Sequence, residues 1–184
     1  MYVAIAVIAI IVILVLWVIG SYNGLIKLKN MVEEAFSTMD VYLQKRHDLI
    51  PNIVNTVKGY AKHESETLEK VIAARNQAAT ASTNEEKIQA EANLQGSLRG
   101  LFAVAENYPD LKANANFLDL QNKLTSVEND IANSRKYYNG VVKKFNTKIQ
   151  VVPTNIIANI FHFEKQPLFT VNDDEDRKNV NVQF

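Results

Sequence analysis

The sequence predicts an all-α protein: an N-terminal transmembrane helix followed by an antiparallel, up-and-down four-helix bundle. Three observations carry that prediction. The first nineteen residues contain no charged side chain, no proline and no glycine. Beyond them, apolar residues recur at three- and four-residue steps, the period of one helix face. Alternation with period two, the mark of a half-buried strand, is absent over any comparable length.

The leading run, Met1 to Ile19, is the first element. At a rise of about 1.5 Å per residue it reaches about 28 Å, close to the hydrocarbon thickness of a bilayer. Thirteen of its residues are Leu, Ile or Val, each favoring insertion by about 0.3 to 0.6 kcal/mol. A cleaved signal peptide would carry a basic start, a shorter apolar core and a small-x-small cleavage site. Nothing basic precedes this run, and Trp17-Val18-Ile19-Gly20-Ser21-Tyr22 is a poor cleavage sequence. An uncleaved single-pass anchor is expected. Lys27 and Lys29 are the first charges after it, so the positive-inside rule puts the N-terminus outside and the helical domain in the cytoplasm.

The bundle helices follow in order. Leu25, Leu28, Val32, Ala35, Met39 and Leu43 mark the first seam; Val54, Val57, Ala61, Leu68 and Val71 mark the second, with Glu64 interrupting it. Leu94, Leu98, Leu101, Ala105 and Tyr108 form the third, and Phe117, Leu120, Leu124, Val127, Ile131, Ser134, Tyr138, Val141 and Phe145 the fourth. Thr83-Asn84-Glu85-Glu86 reads as a capping box. Pro109 stops the third helix, and Asn114 or Asn116 can cap the fourth. Arg46-His47-Asp48-Leu49-Ile50-Pro51 is the ambiguous break. A proline inside a helix costs about 3 kcal/mol, whereas Asp48 as cap with Pro51 in the first turn starts a new helix cleanly. A hairpin turn is therefore expected, the alternative being three long helices with a kinked first one. The predicted organization is an anchor over 1–21, a bundle over 22–149, a short apolar helical segment over 150–163 and an acidic, largely disordered tail over 164–184.

The composition excludes several functions. Twenty acidic residues balance twenty basic ones, so no global field favors nucleic acid. The basic cluster Lys143, Lys144 and Lys148 sits near a helix C-terminus, where cations favor the dipole. Without cysteine there is no disulfide, thiolate metal site or thiol nucleophile. His47, His63 and His162 lack metal-site spacing, and neither G-x-S-x-G nor a phosphate-binding glycine loop occurs. No enzyme activity and no cofactor are expected.

Several blocks resemble the LemA family of bacterial membrane proteins. These are Tyr22-Asn23-Gly24-Leu25, the run Asp40-Val41-Tyr42-Leu43-Gln44-Lys45-Arg46-His47-Asp48-Leu49-Ile50-Pro51-Asn52, and Val57-Lys58-Gly59-Tyr60-Ala61. Ala105-Glu106-Asn107-Tyr108-Pro109-Asp110-Leu111-Lys112-Ala113-Asn114, Tyr138-Asn139 and Phe145-Asn146-Thr147 complete the set. The match runs from the anchor to about Phe163, with Phe36 standing where tryptophan is expected. The resemblance implies an N-terminal membrane helix, an outside terminus and an all-helical bundle in the bacterial cytoplasm. It brings no settled activity.

Two candidate surfaces follow. If Arg46 to Pro51 forms a hairpin, that turn and Asn107 to Asn114 meet at the membrane-distal end. Arg46, His47, Asp48, Asn52, Tyr108, Asp110, Lys112 and Asn114 could then form a docking face for a membrane-associated protein partner. The alternative is that these residues only cap and break helices. The fourth helix would end near the bilayer, leaving Ile156, Ile157, Ile160 and Phe161 to contact lipid or to pack beneath the bundle. The expected role is a non-catalytic, membrane-anchored scaffold or adaptor that self-associates as a homo-oligomer; the alternative is an oligomeric membrane-shaping or membrane-stabilizing protein.

Overall fold

The computed structural model describes residues 1–170. The acidic run Asn172 to Arg177 and the terminal Val180 to Phe184 lie outside the described residues. Six helices follow one another: α1 (Tyr2–Tyr60), α2 (Ser65–Thr80), α3 (Asn84–Ala105), α4 (Pro109–Lys112), α5 (Ala115–Lys148) and α6 (Thr154–Ile160). No strand occurs among the described residues. The all-α class and the long apolar N-terminal helix stand as the periodicity predicts.

The hairpin at Arg46 to Pro51 does not form. Helix α1 is continuous for 59 residues with Pro51 inside it, so the first two predicted helices are one. A proline cannot donate to the carbonyl four residues earlier, which here belongs to His47. Arg75 of α2 fills the gap: its Nε donates to the His47 carbonyl at 3.3 Å. The acceptor that the ring would orphan is thereby satisfied from a neighboring helix. The chain turns instead at Ala61 to Glu64, where Glu64 had interrupted the apolar seam.

Helices α2 and α3 pack together as a hairpin across a connection of only three residues, short enough to force antiparallel neighbors. The capping box is complete: the Glu86 amide donates to Thr83 Oγ1 at 3.1 Å and the Thr83 amide to Glu86 Oε2 at 3.1 Å. Pro109 opens the short α4 rather than ending α3 directly. Asn114 caps α5, accepting from the Phe117 amide at 3.0 Å.

The described residues fall into two compact units, one built on Met1–Val41 with Ile131–Leu168, the other on Tyr42–Asp130. In the first, Leu25, Val32, Ala35 and Met39 of α1 are buried, as are Tyr138, Val141, Val142 and Phe145 of α5. Phe36 is buried with its ring edge-on to Tyr138, centroids 5.4 Å apart. In the second, Ile50, Ile53, Val54 and Val57 pack with Leu68, Val71, Leu94, Leu98, Leu101 and Leu124 in one apolar cluster. Each such side chain contributes roughly 1.5–3 kcal/mol on full burial, which is what overrides a proline in α1.

Candidate functional site

The most heavily bonded part of the second unit is Arg46 and His47, both predicted as surface residues and both buried. They lie on the inner face of α1 because the seam that runs through Met39 and Leu43 continues through position 46 to Ile50. Glu91 of α3 meets them. The Arg46 Nη2 donates to Glu91 Oε2, and His47 Nε2 lies 2.7 Å from Glu91 Oε1. A carboxylate only accepts, so that imidazole nitrogen carries the hydrogen. Glu128 of α5 takes the other Arg46 nitrogen at 3.0 and 3.2 Å. One guanidinium thus joins α1 to both α3 and α5.

Burial works against the Arg46 charge, yet the carboxylates of Glu91 and Glu128 outweigh it and hold the guanidinium above its ordinary value. Burial likewise pushes Glu91 upwards. The His47 hydrogen bond and the Arg46 charge win, and its carboxyl lies below the usual range. His47 Nδ1 and Arg46 Nε are buried with no hydrogen-bond partner.

The second predicted block is elsewhere. Tyr108 donates to Glu64 Oε1 at 3.3 Å, and Lys112 pairs with Glu106. Asn114 donates through Nδ2 to the Tyr60 hydroxyl at 2.8 Å. Tyr60 is thirteen residues beyond His47 on α1, about 20 Å along the axis. The two blocks are therefore not brought together, because the turn that would have joined them is absent. Tyr108, Lys112 and Asn114 fix the connections around α4 instead, and Asp110 is exposed in its first turn.

Asp48 and Asn52 remain exposed. With Lys45, Leu49, Lys123, Ser126, Val127 and Asp130 they line an open groove of about 550 Å³ between α1 and α5. Among the described residues no group of three His, Asp or Glu side chains could hold a metal ion. In the other unit, Ile157 is buried, contrary to its predicted role as a lipid contact, whereas Ile156, Ile160 and Phe161 are exposed. One side of so short a helix must face its own core, and position 157 is on that side.

The profile of the LemA family matches residues 35–184. This chain belongs to the LemA family. It is similar to Protein LemA of Metamycoplasma hominis, with 28% identity over 145 residues, which cover 76% of this chain and 64% of that protein. The matched region is thus less than two thirds of that relative's length.

In this LemA-family chain the Arg46 to Asn52 block does three jobs within about two turns of α1. Arg46 and His47 pin α3 and α5, the His47 carbonyl receives α2, and Asp48 with Asn52 faces outward. Sequence reasoning missed Glu91, Glu128 and Arg75. A signal for Glu91 existed: stepping back three residues from Leu94 along its seam lands on a glutamate in a position meant for an apolar side chain.

Proposed function

We propose that this LemA-family chain is a non-catalytic, membrane-anchored helical adaptor that presents the groove on α1 and α5 to a membrane-associated protein. The observation that carries this reading is the groove's lining. Lys45, Asp48, Lys123 and Asp130 line it together with Leu49 and Val127, charges of both signs beside a small apolar surface, the mix found in protein interfaces. A trough this open does not enclose a small substrate. The buried Arg46 pairs with Glu128 and so ties α1 to α5, the two helices that supply the groove's walls. The apolar start of α1 supports a tether, and Lys27 and Lys29 favor a cytoplasmic domain.

Photo-crosslinkers placed at Asp48, Asn52 and Lys123 in native membranes test the reading, with Asp110 as a control outside the groove. A discrete adduct from the three groove positions, absent from the control, supports it. No adduct, or the same adducts from all four, rejects it.

A second reading, an oligomer that shapes the bilayer, is favored by the exposed Ile156 and Ile160. Purified protein that deforms vesicles unaided would select it over the adaptor.

A further inference from the structure

We infer that the exposed edge of α6 is a lipid-facing foot, with Val152, Ile156, Ile160 and Phe161 seated at the headgroup boundary of the bilayer that the start of α1 crosses. This rests on the reading of α1 as a membrane anchor and adds a second, independent attachment to it. The deciding contact is between rings. The Tyr22 ring centroid lies 4.6 Å from that of Phe161, the rings tilted by 54°, and 5.9 Å from that of Phe163, edge-on. Tyr22 stands three residues beyond Ile19, the last residue of the apolar run, a rise of about 4.5 Å. Whatever depth the run's end adopts, Phe161 shares it. A tyrosine such as Tyr22, apolar ring and polar hydroxyl together, favors that interfacial level.

Helix α6 itself is two-sided. Thr154, Ile157 and Ala158 are buried, while Ile156 and Ile160, spaced by four, are 53% and 60% exposed; Val152, in the turn before the helix, is 79% exposed. An interfacial helix ordinarily carries basic residues on its polar side, and the polar residues of α6 are only the buried Thr154, the half-buried Asn155 and the exposed Asn159. The cations come from its neighbors. Exposed Lys148 precedes it, exposed Lys165 follows it, and Lys29 lines the same cleft as Tyr22, Phe161 and His162. A second copy of the chain is a poorer occupant. Four part-exposed side chains fall far short of the roughly 800 Å² per partner that a stable interface buries.

The chain has no native cysteine, so single substitutions can carry an environment-sensitive fluorophore. Full-length protein labelled at Ile156→Cys, Ile160→Cys or Asn159→Cys is reconstituted in vesicles of zwitterionic and anionic phospholipid. Ile8→Cys reports the anchor and Asn129→Cys the aqueous baseline. Nitroxide-bearing lipids quench from within the bilayer and iodide from water. Labels at 156 and 160 should be quenched severalfold more by shallow nitroxides than the label at 159, and shielded from iodide. If position 8 is quenched by deep nitroxides while 156 and 160 behave like 129, the foot is overturned and the anchor stands. Shielding from iodide without lipid quenching means a protein covers the edge, and also overturns the foot. An unquenched position 8 removes the anchor, and the foot with it.

Discussion

Glu91 has both carboxylate oxygens committed, one to Arg46 and one to His47, in a part of the second unit that water does not reach. Breaking such a pair strands a buried charge and costs about 3–5 kcal/mol, more than the intact pair itself contributes over an apolar substitute. Glu91→Gln should therefore destabilize the second unit by about 3 kcal/mol or more. The double change Arg46→Met with Glu91→Leu should cost much less than the two single changes summed, as read from denaturant unfolding. The pH dependence has a definite sign. The Glu91 carboxyl is held below its unfolded value, about 4.3, so its contribution is complete above that pH and fades as pH falls through the lowered value. The Arg46→Met, Glu91→Leu variant should lack that acid-side loss. Tyr138 behaves oppositely: burial pushes its hydroxyl up to about 12, so its share is complete below about 10 and is lost as pH rises through the higher value. Tyr138→Phe should flatten the alkaline limb, at a cost of about 1 kcal/mol for the lost hydrogen bond to the Pro167 carbonyl.

Helix α1 shows what one proline needs in order to be tolerated. Pro51→Ala restores a backbone donor to the His47 carbonyl and should stabilize α1, by up to about 3 kcal/mol. Arg75→Met should cost about 1–2 kcal/mol in the natural chain and little once alanine occupies position 51; a coupling near zero in that double-mutant cycle would refute the account. The end of α6 offers a second case. His162 has φ of 55°, and the paired bonds Phe163 amide to Ala158 carbonyl and His162 amide to Asn159 carbonyl close the helix. A left-handed non-glycine residue is strained by about 1–2 kcal/mol. His162→Gly should accordingly hold or raise the thermal midpoint, despite the extra freedom it gives the unfolded chain.

For the whole molecule, most of the helical content was legible because apolar spacing is a local signal. The capping box was legible for the same reason, and the α5 cap was narrowed to Asn114 or Asn116, of which Asn114 serves: the partners lie within three residues. The uninterrupted α1 was not, since the donor that makes Pro51 acceptable is at Arg75, in another helix. The pairing of Arg46 with Glu91 crosses 45 positions and was equally out of reach, although each residue occupies a seam position that a charge ought not to hold. The proposed docking face failed with the turn on which it depended. At this scale the membrane reading makes its own prediction. Replacing Ile8 and Ile11 by aspartate should move the protein from the membrane pellet to the supernatant, because each acid costs about 2.5–3.5 kcal/mol at mid-bilayer.

The extended stretch after α6 takes its path from α5. Asn146 donates to the Gln166 carbonyl at 2.8 Å and accepts from its amide at 2.9 Å, while Tyr138 holds Pro167. Backbone atoms are gripped there by carboxamide and phenol, so the letters at Glu164, Lys165 and Leu168 are released from any duty of guiding the chain. An epitope could overwrite those three without rerouting the polypeptide, whereas Asn146→Leu alone would let it come adrift.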